Sequence, residues 1–140
     1  PMSRDEARQA LESRLGNEEC WALERKVDGK YVGNLYLGRR DFQSMELGYV
    51  LARGHWGRGY AWEGCQALMK AAFQQSAHRI YAECDPQNQA SWRLLERLGM
   101  LREAHLRQNV YFWTDERGFP LWKDTYVYAL LNPDEGAERL

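Results

Sequence analysis

Met45-Glu46-Leu47-Gly48-Tyr49-Val50-Leu51-Ala52-Arg53-Gly54-His55-Trp56-Gly57-Arg58-Gly59-Tyr60-Ala61 joins two kinds of periodicity across three closely spaced glycines. Upstream, Met45 to Ala52 alternates as a strand does. Downstream, Ala61 to Ser76 places Cys65, Leu68, Met69 and Ala72 at the spacing of one helix face. Small residues where a strand hands over to a helix let backbone N–H groups approach a ligand together. The helix that follows adds its positive end, and Arg53 and Arg58 stand beside it to supply full charges. Gly57 to Ala61 therefore suits a pyrophosphate, and it equally suits a tight turn that binds nothing. The loop lacks the Lys-Ser/Thr ending of a P-loop, and Trp62 stands where a dinucleotide fingerprint needs its third glycine.

Outward from this stretch, Ser3 and Glu6 form a capping-box pattern ahead of Ala7, Leu11 and Leu15, which predicts a helix ending near Gly16. Cys20 to Val27 and Tyr31 to Leu37 read as strands joined at Asp28-Gly29, a hairpin signal. Beyond the helix, Arg79 to Cys84 reads as a short buried strand stopped by Asp85-Pro86. Ala90 to Leu98 reads as a second helix, ended by Gly99. Two strands alternating with two helices predict a parallel or mixed sheet, hence a mixed-sheet α/β (α+β) fold. Leu101 to Leu131 reads as a long hairpin turning at Asp115-Glu116-Arg117-Gly118 and rich in aromatic residues. Asn132 to Leu140 is polar and expected to fray. The expectation is one domain over residues 1–131 with a tail at 132–140.

Composition narrows the partners. The sequence has 140 residues, 44% hydrophobic and 28% charged, with a formal net charge of -1. That balance gives no overall field for nucleic acid or anionic membrane. No apolar run approaches the length of a membrane span, and a cytoplasmic location is expected. Cys20, Cys65 and Cys84 have no C-x-x-C spacing and read as buried small hydrophobes. His55, His78 and His105 lack ligand spacing, so no metal is expected.

Trp56-Gly57-Arg58-Gly59-Tyr60-Ala61 resembles the Q/R-x-x-G-x-G/A signature of the GNAT N-acetyltransferases, with Trp56 departing at the first position. His55 to Ala61 is closer still to the Tyr-Trp-Gly-Lys-Gly-Tyr-Ala loop of the branch containing the ribosomal-protein N-terminal (alanine) acetyltransferases. A second stretch, Asn88 to Met100, is similar to that branch's N-x-x-S-x-x-x-L-E-K-L-G-F helix. The likeness runs from Trp21 to about Leu131. Family members open with a strand and a helix, whereas this sequence starts at what resembles their second helix. The resemblance thus implies a GNAT fold lacking its usual first strand and helix. It also implies an open edge at Cys20 to Val27, to be covered by further residues or by a second copy in a homo-oligomer.

The resemblance further implies acetyl-CoA as cosubstrate. Gly57 to Ala61 with Trp56, Arg53 and Arg58 would take its pyrophosphate, backbone groups near Val50 and Leu51 would pair with pantetheine and polarise the thioester carbonyl, and Asn88 would bond the pantetheine arm. Ser91 would lie near the sulfur and protonate the departing thiolate, because the tyrosine acid of many family members is replaced by Leu95. Glu46 occupies the strand position of a catalytic glutamate and would act as base through water. A carboxylate near pKa ~4.3 is better matched to an α-amine near ~8 than to a lysine near ~10.4, which favours a protein or peptide N-terminus as acceptor. Each residue has a plainer use: capping for Asn88 and Ser91, an ion pair for Glu46. Tyr111, Trp113 and Trp122 are candidates for an acceptor groove and also ordinary sheet residues. A small amine such as an antibiotic or polyamine is the alternative acceptor. An acyl-CoA-binding module with weak catalysis and a nucleotide-binding domain are the other readings.

Overall fold

In the computed structural model the residues described are 20–25, 28–51 and 59–135. The strands are β1 (Cys20–Glu24), β2 (Tyr31–Arg39), β3 (Ser44–Leu51), β4 (Arg79–Cys84), β5 (Leu101–Thr114) and β6 (Pro120–Leu131), and the helices are α1 (Tyr60–Gln74) and α2 (Gln89–Arg97). The strands form a six-stranded mixed sheet in the order β1-β2-β3-β4-β6-β5. This is the mixed-sheet α/β class that the alternation of strands and helices implies. The chain divides into two compact units, Pro1–Ile80 with Leu131–Leu140, and Tyr81–Leu130. The expected helix around Ala7, Leu11 and Leu15 lies outside the described residues, as do Arg53, Trp56, Gly57 and Arg58.

In the first unit, β1, β2 and β3 are successive antiparallel neighbours, with Trp21 opposite Leu35 and Leu35 opposite Tyr49. Strand alternation puts Trp21, Leu23 and Leu35 on one face, and all three are buried. The apolar stripe of α1 comes out as its spacing predicts, with Ala61, Cys65, Leu68, Met69 and Ala72 buried. Gly64 lies in that stripe too. A Cβ there would sit 2.8 Å from Leu35 Cδ1 and 3.2 Å from Leu23 Cδ1, so the helix approaches the sheet more closely than any side chain would allow. The β1–β2 connection is tied by Arg25 N–H to Lys30 O and Gly29 N–H to Arg25 O, with Gly29 at φ 68°. Among the described residues no helix is long and apolar enough to cross a membrane.

In the second unit, β5 and β6 form the expected antiparallel hairpin, with the turn closed by Asp115 Oδ1, which accepts from Arg117 N–H and Phe119 N–H. The ladder is not regular. It slips between Arg102 and Ala104, between Leu106 and Val110, and between Tyr111 and Thr114. At the middle slip Gln108 takes φ 45°, its N–H donates to Asp124 Oδ1 at 2.8 Å, and Thr125 donates to Asn109 at 2.9 Å. Asp124 thus satisfies the Gln108 N–H at the bulge, and a side-chain pair ties the two strands beside it.

Two expectations need correction. Only Cys65 is buried; Cys20 is exposed and Cys84 intermediate, because β1 presents Cys20 on the side opposite Trp21 and Leu23. Burial pushes the Cys65 thiol up to about 12. The polar tail does not fray at its start either. Asn132 is buried, its Nδ2 donating to Phe73 O at 3.1 Å and Ala77 O at 2.8 Å, and its N–H donating to His78 O at 2.8 Å. His78 Nδ1 in turn bonds Glu135 at 2.5 Å.

Two outcomes follow. Asn132→Ala removes the side-chain donor to Ala77 O and one of the two donors to Phe73 O, and should cost about 1–3 kcal/mol, read as a lower urea midpoint with an unchanged slope. Under native conditions a thiol reagent should modify Cys20 first and Cys65 only after unfolding; early modification of Cys65 would contradict its burial.

Candidate functional site

Strand β3 carries the first cluster. Because Leu35 and its partner Tyr49 belong to the face that α1 covers, Glu46, Gly48 and Val50 belong to the opposite face. Val50 is 68% exposed there. Glu46 is not alone. Its Oε1 accepts from the Arg40 guanidinium at 2.9 Å, and the same Arg40 nitrogen reaches the Tyr36 hydroxyl at 2.7 Å. These bonds, that to Tyr36 first, hold the Arg40 guanidinium even more firmly protonated than usual. Gly38 lies directly opposite Glu46, and a Cβ there would fall 2.2 Å from the Tyr36 oxygen. The cluster thus occupies the space that the missing side chain leaves. Arg40 and Tyr36 escaped the reading of sequence; the signal was a cation six residues before Glu46 across a short β turn.

The start of α1 carries the second. Gly59 is its N-cap, at φ 80° and ψ 2°, and as a glycine offers no side-chain cap of its own. Glu63 N–H donates to Gly59 O at 3.0 Å. An L residue rarely adopts that backbone, so the glycine is required by the turn whatever else it does. A helix start without a side-chain cap is the local arrangement that suits an anion. Of the cradle residues, Gly59, Tyr60 and Ala61 are described, the last two buried as the first residues of α1.

In the second unit, α2 begins at Asn88, whose Oδ1 accepts from Ser91 N–H at 3.1 Å. The capping use of Asn88 is therefore present, and it leaves the NH2 of the carboxamide as a donor for something else. The Ser91 hydroxyl bonds the Cys84 thiol at the end of β4. Burial raises the Cys84 thiol above its ordinary range, and the bond from Ser91 opposes this. Cys84 therefore stands as a neutral thiol beside a hydroxyl. Leu95, one turn further, is 1% exposed and packs in the core, so no acid can act from that position. Trp92 Nε1 donates to Pro86 O at 3.1 Å and ties the helix to the loop before it.

Tyr128 is fully buried, a residue that sequence periodicity marks only as part of a strand. Its hydroxyl donates to Glu96 Oε2 at 2.6 Å and accepts from Arg102 Nε at 3.0 Å. Arg102 lies 3.8 Å from the Tyr126 ring centroid. Burial is the main reason the phenol is held above its usual range, so it stays neutral and links α2 to the hairpin. Trp113 and Trp122 are exposed, not core, at 64% and 52%. Among the described residues no group of three or more His, Cys, Asp or Glu could hold a metal ion.

Comparison with known proteins places these elements in a family. Residues 1–101 match the acetyltransferase (GNAT) domain model. An uncharacterized N-acetyltransferase, YnaD, of Bacillus subtilis is 31% identical over 121 residues, covering 86% of this chain and 62% of that protein. The [ribosomal protein uS5]-alanine N-acetyltransferase of Escherichia coli is 32% identical over 97 residues, covering 69% of this chain and 47% of the relative. The crystal structure of a GNAT-family acetyltransferase from Bacillus anthracis superposes with a TM-score of 0.74 at 30% identity, covering 83% of this chain and 68% of that one. The chain spans about half to three fifths of the length of the curated relatives it matches.

Gly59→Ala forces a Cβ into the left-handed region and should lower stability by roughly 1–2 kcal/mol in chemical denaturation, with Gly59→Asn losing less. An unchanged midpoint for the alanine variant would show that the turn has another conformation.

Proposed function

This chain belongs to the GNAT acetyltransferase family, and on that premise we propose that it transfers acetyl from acetyl-CoA to a primary amine by direct attack. The acceptor we infer is a protein or peptide N-terminal α-amine. One observation supports the donor side: Gly59, held left-handed, starts a 15-residue helix, and a helix N-terminus is the local arrangement that suits a pyrophosphate. In this reading Gly57 to Ala61, with Trp56, Arg53 and Arg58, bind the pyrophosphate. Backbone groups at Val50 and Leu51 take the pantetheine and the thioester carbonyl, and the carboxamide NH2 of Asn88 bonds the pantetheine arm.

The reaction needs a neutral amine, a stabilised oxyanion and a proton for sulfur. The amine nitrogen attacks the thioester carbon; the tetrahedral intermediate collapses with C–S cleavage, and the leaving thiolate takes a proton from the Ser91 hydroxyl, which recovers one from solvent. Glu46 accepts the amine proton through water. Arg40 holds its carboxylate in place, and a carboxylate base suits an α-amine better than a lysine. The name of the Escherichia coli relative, an alanine N-acetyltransferase, supports the same choice.

Both roles are open to one assay, release of coenzyme A thiol with a panel of amines. Ser91→Ala keeps the backbone N–H that Asn88 caps, so it should fold, and its kcat should fall on the order of 10²-fold with little change in KM for acetyl-CoA. Glu46→Gln should lose a similar factor at neutral pH. Full activity in both variants would overturn the assignment, and acetyl-CoA binding without thiol release for any amine would leave a binding module in place of an enzyme.

A further inference from the structure

The second unit contains a cavity of about 430 Å³ whose polar groups the reaction above does not use. Its apolar wall is made by the indoles of Trp113 and Trp122, and both are braced edgewise, Trp122 by Tyr111 at 5.2 Å between centroids and Trp113 by Phe112 at 5.9 Å. The rings are therefore presented in place. Opposite charges line the rest. Lys123 is engaged, its ammonium ion-paired with Asp85 and donating to Gln87 Oε1 at 3.2 Å. An incoming anion would have to compete with Asp85 for it.

Asp124 is differently placed. One oxygen accepts from Gln108 N–H at 2.8 Å and the other bonds His105 Nε2 at 2.7 Å, and these bonds, the one from Gln108 first, hold its carboxyl below the usual range. Each oxygen keeps a lone pair for a further donor. Two carboxylates and one ammonium line the cavity, with Arg107 acting on Asp124 from outside the lining, and beside them stand two indoles, a ring type that attracts cations in its own right. Sequence supplies the location as well. Asp85 and Gln87 form one wall and run directly into Asn88 and Ser91.

We propose that this cavity takes an ammonium or guanidinium group carried by the amine acceptor, in addition to the amine that is acetylated. The identity of the occupant as acceptor rests on the acetyl-transfer reading above; the preference for a cation does not. Two sources share that chemistry, a basic side chain next to a peptide N-terminus and the second ammonium of a polyamine.

The test compares kcat/KM for Ala-Arg and Ala-Gln peptide amides, and for spermidine and butylamine, in the full chain. The cationic member of a pair should be favoured roughly tenfold, chiefly through KM. The peptide pair responding assigns a basic peptide, the amine pair a polyamine. In Asp124→Asn, which keeps an acceptor for Gln108 N–H, the ratio should fall towards one, and Trp122→Leu should reduce it independently. No preference in either pair, or a preference untouched by both variants, overturns the proposal. N-acetylarginine amide, which cannot be acetylated, separates this from failure of the enzyme reading. If no amine is turned over, saturable quenching of tryptophan fluorescence that Asp124→Asn abolishes still supports the cation site, and absence of quenching rules it out.

Discussion

The close approach of α1 to the strands, made possible by the bare Cα of Gly64, fixes most of what the first unit presents. Leu23 and Leu35 are each 1% exposed and have nowhere to move if a side chain is added. With the helix seated on that face, the pleat of β3 sends Glu46, Gly48 and Val50 to the other. The same helix has to begin where β3 has ended, and Gly59 supplies the left-handed turn at its first residue. Packing on one side of the strands thus determines which residues of β3 the other side presents.

A second regularity is that the described carboxylates near the candidate residues arrive already engaged. Glu46 holds Arg40, Asp85 holds Lys123, Asp124 holds His105 and Gln108, and Glu96 accepts from Tyr128. Most of these pairs are partly exposed and add little to stability on their own. Their effect is on state and orientation. A paired carboxylate is held in one orientation, so it offers a directed lone pair in place of a mobile one.

Much of this was legible in the sequence, and what was legible shares a cause. Strand β4 and the stripe of α1 were read correctly because burial there is periodic along a single element. The hairpin turn at Asp115 to Gly118 was legible from turn chemistry. What was missed depends on partners distant in sequence: Asn132 reaching the end of α1, Arg40 reaching over Gly38 to Glu46, and a cavity whose walls come from residues near 85 and near 122. The bulge at Gln108 escaped for another reason. Bulges advertise themselves through glycine, and here a glutamine takes the positive φ because Asp124 accepts its N–H.

In the proposed reaction, the surroundings of Ser91 bear on how a serine can serve as proton donor where Leu95 excludes a tyrosine. A free hydroxyl is a far weaker acid than a thiol, so full transfer to the leaving sulfur needs help or needs only to be partial. Ser91 is already bonded to a sulfur, that of Cys84, whose thiol burial keeps neutral. A hydroxyl that pairs with one sulfur has the reach and polarity to hydrogen-bond a second as it becomes a thiolate, and the neutral Cys84 S–H is a weak donor able to support the serine oxygen while it does so. A hydrogen bond to the thiolate as the C–S bond breaks lowers the barrier, and water that protonates the serine oxygen as it gives up its own proton avoids a serine alkoxide. The proposed reaction then needs no strongly acidic side chain at Leu95, which is buried in the core instead.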